Sequence, residues 1–344
     1  MLHFATLFDF NYLSRGLCLL DSLNKTVSGN FKLYVLALDN DTVTYFKGSD
    51  HSNVQIITLN DVESHFVDLA EAKSNRSKIE YYFTLSPILP LYILENYDCD
   101  RITSLDADIY FYADPTIIFN YYQPEAILIT PHDFSANLKH LEEYGLYNVS
   151  FQSFPRTANA LHVLNDWKTK CIIWCNDVLD PNTGYFADQK YLDFWKDNFD
   201  HIQDITLKTC GRAPWNIKDT RFSFKKGKVL VDGYPLIYYH FHHLRIYGNI
   251  IEHGIALYGL SEISTEIKTI YKIYLRNLIG HNKVLYSVND KSIGRYNNSK
   301  ETKTWPNHLW EIELGAVAIA GSAHFFNIKL IKRGYYYIKR KLNA

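Results

Sequence analysis

From the N-terminus to about residue 250, short apolar runs alternate with helical patterns. Phe4–Phe8, Lys32–Leu38 and Val54–Leu59 read as buried strands between polar turns, and Arg101–Leu105 and Ala126–Pro131 as two more. Between the first two runs, Leu13, Leu17, Leu20 and Leu23 repeat at helical spacing, and Pro87–Tyr97 reads as a further helix. Strands that alternate with helices build βαβ units. The expected fold class is therefore α/β, with a mainly parallel, Rossmann-like sheet covered by helices on both faces. Sheets of this kind bind ligands beyond the carboxyl ends of their strands.

The pattern changes after about residue 255. At 344 residues the chain is long enough for one large domain or two modest ones, and the expected division is 1–255 and a helical extension, 256–344. Ile263, Ile267, Ile270, Ile273, Tyr274 and Leu278 form a helical stripe, with Gly280 as its expected stop. Residues 289–307 read as a polar loop. No acidic residue follows Glu313, and Lys329, Lys332, Arg333, Lys339, Arg340 and Lys341 make the end of the chain basic and Tyr-rich. That tail is expected to touch the cytoplasmic face of a membrane peripherally. The longest weakly polar run, Leu314–Phe326, is too short to span a bilayer, which takes about 20 residues.

Charge and cysteine usage narrow the class. Thirty-six Lys and Arg against 37 Asp and Glu leave a net charge of −1, so a surface built to follow a nucleic-acid backbone is not expected. The five cysteines are odd in number and widely spread, which is not a secreted disulfide framework. Cys171 and Cys175 fall in a stretch that reads as helical and would share one face. A zinc site would need two more ligands at matching spacing, so they are expected to be buried thiols. Asp9 and Arg15 come too early for a secretory signal. The expected setting is a reducing cytoplasm.

The chemistry centres on Asp106-Ala107-Asp108, which follows directly on the strand Arg101–Leu105. Carboxylates buried without partners are costly, and two of them one residue apart at a strand end suit a divalent ion such as Mg²⁺ or Mn²⁺. A second cluster, His240-Phe241-His242-His243, follows an apolar run. Strand alternation would send His240 and His242 to one face and His243 away from it, and neutral imidazole is a good ligand for such ions. A third segment, Asn182–Gln189, is a Gly-containing turn leading into a helix, with Asp188 placed either to cap it or to act as acid, base or sugar ligand. A fourth, Gly211–Ile217, reads as a rigid turn exposing Trp215 and Asn216. The P-loop, dinucleotide-binding and nucleophile-elbow patterns are absent from the sequence.

The order of these motifs resembles that of GT-A glycosyltransferases, the broad group that includes glycogenin and the lipopolysaccharide galactosyltransferases. The stretch Ile102–Pro115 is similar to that group's strand, D-X-D and following strand. Ile129–His132, Trp174-Cys175, Tyr185–Trp195, Ala213–Ile217 and Tyr239–Leu244 resemble a bacterial set of surface-polysaccharide transferases. The resemblance covers about residues 1–250. It implies that Asp106 and Asp108 hold Mn²⁺ or Mg²⁺ bridging the diphosphate of a UDP- or dTDP-sugar, with His240 as third ligand and His242 as its alternate. It departs from the group's H-x-x-G pattern at His243, where glycine is expected. Thr6, Asp9 and Tyr12 would meet the nucleotide. Lys78, with Arg76 as an alternative, would meet the diphosphate. Asp188 and Gln189 would face the donor sugar and the reacting centre, and Trp215 and Asn216 the acceptor side. The implied acceptor is a growing surface glycan, lipid-linked; retention of configuration is the expected outcome, with inversion, and Asp188 as its base, as the alternative. A metal-dependent phosphohydrolase of nucleotide-sugars and a non-catalytic sugar-binding assembly protein are the rival readings.

Overall fold

A computed structural model of the chain describes residues 1–247, 250–260, 263–289, 309–313 and 316–317. It divides into two compact units, Met1–Phe241 and His242–Ala344.

The first unit is built on a seven-stranded sheet. Its strands are β1 (Leu2–Phe8), β2 (Phe31–Ala37), β3 (Val54–Thr58), β4 (Arg101–Leu105), β6 (Ile127–Pro131), β7 (Tyr147–Pro155) and β8 (Ile202–Asp204), in the order β3-β2-β1-β4-β7-β6-β8. A short β5 (Ile109–Phe111) lies outside this sheet. All neighbours run parallel except β7, which is antiparallel to both β4 and β6. Four of the five strand expectations are met within one or two residues, and Arg101–Leu105 is met to the residue.

The intervening helices are α1 (Leu13–Thr26), α2 (Asn40–Lys47), α3 (Leu59–His65), α4 (Leu69–Asn75), α5 (Lys78–Asn96), α6 (Thr116–Tyr121), α7 (Ala158–Ile173) and α8 (Trp195–Asn198). The inner strands are buried on both faces, as helices on both sides require, while the outer β3 and β8 are mostly half-buried. Ala5, Tyr34, Leu36 and Ile102 join one core with Leu85, Leu89 and Trp167 of α5 and α7. Their neighbours in sequence, Phe4, Leu33, Val35 and Thr103, are equally buried and point the other way. On that side Phe4 meets Phe111. Gly16 of α1 sits against the end of β1, where a Cβ would lie 2.3 Å from the Phe8 ring.

Three local expectations fail for physical reasons. Helix α5 starts at Lys78, nine residues before Pro87, because Ser77 and Glu80 form a reciprocal capping box. Pro87 and Pro90 are carried inside it. Helix α7 ends at Ile173, so Cys175 lies beyond it; the two thiols are nonetheless buried and close enough to hydrogen-bond. The turn carrying Trp215 and Asn216 is not exposed: the two residues are 3% and 2% accessible.

A three-stranded sheet, β9 (Phe222–Lys225), β10 (Lys228–Val231) and β11 (Tyr234–Pro235), precedes β12 (Tyr238–His240), which pairs with β5.

The second unit begins at His242, fourteen residues before residue 256, the expected start of the extension. It is not helical alone: β13 (Arg245–Tyr247), β14 (Ile250–Glu252) and β15 (Leu309–Glu313) pair antiparallel. Helix α9 (Thr265–Asn289) buries Ile267, Ile270, Tyr274 and Leu278, the expected stripe, but begins after Ile263 and runs through Gly280. No described helix is long and apolar enough to cross a membrane. The basic tail, His324–Ala344, and most of the loop 289–307 lie outside the described residues.

Candidate active site

Three ligand groups meet where β4 ends. The chain leaves β4 at Leu105, and Asp106 donates its amide to the Ser150 carbonyl (2.9 Å) while its own carbonyl accepts from Ile109 N (3.2 Å). That tight turn presents Asp106 and Asp108 and buries Ala107 between them. β5 then pairs antiparallel with β12, so that His240 stands opposite Ile109. Phe241 N donates to the Asp108 carbonyl (3.0 Å) and His240 N to the Arg212 carbonyl (2.8 Å). This pairing brings His240 Nε2 to 3.1 Å from Asp108 Oδ1 and 3.6 Å from Asp106 Oδ2. One donor atom from each residue lies within 4.8 Å of the other two.

The electrostatics are those of two crowded carboxylates. Desolvation pushes Asp106 up to about 6, with His240 opposing and Asp108 adding to the rise. Burial alone would lower His240, but Asp108, with Asp106 behind it, outweighs that and raises it. Two carboxylate oxygens and one imidazole nitrogen form a donor set suited to Mn²⁺ or Mg²⁺, so the residues fit the ion that the resemblance implies. The alternate, His242, is not in the group: the strand ends at His240, and the alternation that would align His242 with it ends there too.

Asp188 supplies a third carboxylate. It opens the 3₁₀ turn Gln189–Phe194 without capping it by its side chain. Its carboxyl is buried and bonded to Ser86 of α5, while Oδ2 has no hydrogen-bond partner. Burial raises it to about 7, and the charge of Asp106 adds to the rise. The preceding residue, Ala187, is held at φ +46°, a left-handed conformation that L-residues adopt at a cost. Gln189 is tied elsewhere, its Nε2 donating to the Tyr144 carbonyl (2.9 Å). Ser86 has no motif around it, and only the packing of α5 reveals it.

At the end of β1, of the residues expected at the nucleotide and diphosphate, Asp9 and Lys78 pair with each other. The register Ala5↔Ser104 sets Thr6 level with the last residue of β4, and its buried Oγ1 has no partner. Asp9 caps the turn Phe10–Tyr12 through Asn11 N (3.1 Å) and pairs with Lys78 Nζ at 2.8 Å. The hydrogen bond to Asp9 is what raises Lys78. Tyr12 is 41% exposed, with the Arg15 guanidinium 4.4 Å over its ring. Arg76 donates to Thr84 and to the Cys171 and Ile172 carbonyls near the end of α7.

Trp215 and Asn216 support the site from behind. Trp215 Nε1 and Asn216 Nδ2 both donate to the His132 carbonyl, at 2.8 and 3.0 Å. The Trp215 ring meets the His240 ring edge-on at 5.4 Å. Gly211, which opens this turn, adopts φ +64°, and a Cβ there would lie 2.9 Å from Thr130 Cγ2. His132 stacks on Phe134 at 4.5 Å and bonds the Gly145 carbonyl (3.0 Å), and burial lowers it to about 3.

No family model matches the chain. Among curated proteins, it is similar to two from Bacillus subtilis strain 168. "Uncharacterized protein YfnF" is 30% identical over 252 residues, 71% of this chain and 82% of that protein. "Uncharacterized protein YfnD" is 27% identical over 278 residues, 80% of this chain and 88% of that protein. Similar solved structures include mouse xyloside xylosyltransferase 1 (12% identity, 70% of this chain and 98% of that one, TM-score 0.43). The galactosyltransferase LgtC, solved with donor and acceptor sugar analogs, aligns at 11% identity over 70% of this chain and 86% of its own, TM-score 0.45. The glycosyltransferase GlyE of Streptococcus pneumoniae TIGR4 aligns at 11% identity over 86% of this chain and 65% of its own, TM-score 0.47.

Proposed function

The chain belongs to the family of the Bacillus subtilis protein YfnF, and we propose that it is a metal-dependent glycosyltransferase. On this reading it moves a sugar from a UDP- or dTDP-sugar to a hydroxyl of a growing, lipid-linked bacterial surface glycan. The observation that carries the reading is the convergence of Asp106, Asp108 and His240 within 4.8 Å, beside a strand end where the motif order resembles the GT-A group.

Asp106, Asp108 and His240 would hold the divalent ion. When bound, such an ion neutralises charge on the leaving diphosphate. The chain's own residues do the rest. Lys78, 64% exposed at its side chain while paired with Asp9, stands ready to exchange part of that pairing for a phosphate oxygen. Asp188 keeps a buried carboxyl oxygen without a hydrogen-bond partner; on this reading it faces the donor sugar and supports positive charge on the sugar carbon. With retention, the diphosphate takes the acceptor proton and Asp188 does not act as base. The tail His324–Ala344, with six Lys and Arg and no acid, holds the enzyme at the cytoplasmic face of the membrane, near its lipid-linked acceptor.

A hydrolysis screen tests this before any acceptor is known. Nucleotide-sugars are incubated with the protein and Mn²⁺, and release of UDP or dTDP is followed. Slow hydrolysis of one donor, lost on chelation, is expected. Release of inorganic phosphate or sugar phosphate instead would point to a phosphohydrolase and overturn the reading.

A further inference from the structure

The small sheet that precedes β12 carries a hairpin tip whose charge is not compensated. β9 and β10 pair antiparallel with Lys225 opposite Lys228, Phe224 opposite Val229 and Phe222 opposite Val231, and the two-residue turn Lys226-Gly227 joins them. From Thr220 to Val231 the sequence holds Arg221, Lys225, Lys226 and Lys228 and no acid, in a chain whose net charge is −1. The three lysines are exposed, and none has an ion pair or hydrogen bond among the described residues.

Three features of this tip work against the fold. Like charges directly opposite each other on neighbouring strands are destabilising, and Lys225 and Lys228 are such a pair. A two-residue hairpin turn with both central residues at positive φ favours Asn-Gly or Gly-Gly. Here its first position is Lys226, at φ +49°, ahead of Gly227 at +77°. Phe224 is 51% exposed although Val229, its partner across the ladder, is 4% exposed, and Tyr234 of β11 is 71% exposed. Among the described residues neither ring meets another aromatic ring. Residues that break local rules without a compensating gain in the fold concentrate where a surface serves something else.

The chemistry of the tip selects its partner. Three unpaired ammonium groups suit a surface dense in negative charge, and each lysine near an anionic leaflet is worth about 1 kcal/mol, or about fivefold in partitioning. A soluble polyanion would reward the charges alone. Phe224, next to them, gains only where water is excluded. An anionic bilayer offers both: phosphates for the lysines and, beneath them, an apolar boundary for Phe224, with Tyr234 suited to the headgroup level.

We propose that the tip of the β9–β10 hairpin is a docking surface for an anionic phospholipid bilayer, with Phe224 entering the boundary between headgroups and acyl chains. The contact is separate from the basic tail and does not rest on the glycosyl-transfer reading. Only Leu236 and Ile237 separate β11 from β12, the strand that carries His240, so docking here ties the metal-ligand strand to the membrane surface.

The test is sedimentation of the full chain, at low salt, with vesicles of phosphatidylcholine alone or mixed with phosphatidylglycerol. The wild-type chain should pellet with the mixed vesicles only. The triple variant Lys225→Gln, Lys226→Asn, Lys228→Gln, with its tail unchanged, should partition about tenfold more weakly or worse. Its urea midpoint should equal or exceed that of the wild type, because the opposed lysines are gone. Phe224→Trp should add emission that acyl-brominated lipids quench, above the signal of the six native tryptophans. The proposal is overturned if the wild type does not pellet, if the triple variant partitions as the wild type does, or if the variant loses stability. Weaker pelleting of the triple variant without quenching at residue 224 would also overturn it, and would make the tip a site for a soluble polyanion.

Discussion

Two adjacent, parallel strands, β1 and β4, end in carboxylates, and the two ends are treated in opposite ways. Asp9, after β1, is satisfied: it caps a turn and pairs with Lys78 at 2.8 Å. Asp106 and Asp108, after β4, face each other and share one imidazole. The same residue type at the same edge of the same sheet is compensated in one case and crowded in the other. The lesson is that an Asp at a strand end says little alone; what faces it decides whether it holds a loop or is poised to receive a cation.

Predictions that break this contrast run from large to small. Asp106→Ala or Asp108→Ala should cost at least a thousandfold in nucleotide-sugar turnover, above about 4 kcal/mol. Metal-free thermal stability should stay the same or rise, because one of two like charges is gone. A fall in that stability would show that the pair is structural. Trp215→Ala should destabilise by about 3 kcal/mol, as truncation of a buried aromatic does, measured by urea unfolding. A loss below 1 kcal/mol would return Trp215 to the exposed turn that its Gly-Arg-Ala-Pro context suggests.

The third prediction concerns pH. His132 is neutral in the fold and held at about 3, below its ordinary 6.5. The unfolded chain therefore binds the proton first as pH falls, so stability drops below pH 6.5 and this group contributes no change above about 7. By pH 5 the loss is about 2 kcal/mol, at 1.36 kcal/mol per unit. His132→Asn, which keeps a donor for the Gly145 carbonyl, should flatten that acid slope in urea titrations at pH 5 and pH 7. The smallest effect belongs to the compensated end. Lys78→Met should change stability by less than about 1 kcal/mol, because the pair is solvent-screened on the lysine side. A larger loss would mean that the β1 end depends on the ion pair more than on its backbone cap.

The contrast also shows what was legible before the structure. The strands were, because their apolar runs are local. Asp106, Asp108 and His240 stand out in the sequence because they lie at the ends of such runs, and the structure brings their donor atoms together. What those runs do not state is pairing. The β5–β12 ladder joins residues more than a hundred apart, and it is what brings His240 beside Asp106 and Asp108. The burial of Trp215 and Asn216 depends on their reaching the His132 carbonyl across the fold. Arg76 was positioned by sequence order alone, and its carbonyl partners belong to a helix about a hundred residues later. The start of α5 was readable from Ser77 and Glu80, but Pro87 draws the eye to a later start.

Manganese binding followed by electron paramagnetic resonance tests the central claim most directly, because it needs neither donor nor acceptor. The protein is titrated with Mn²⁺ alone, and then with UDP or dTDP present. One site per chain, tightened by the nucleotide and lost in Asp106→Ala and in His240→Ala, is the result expected. Binding that survives both substitutions, or no binding with either nucleotide, would contradict it.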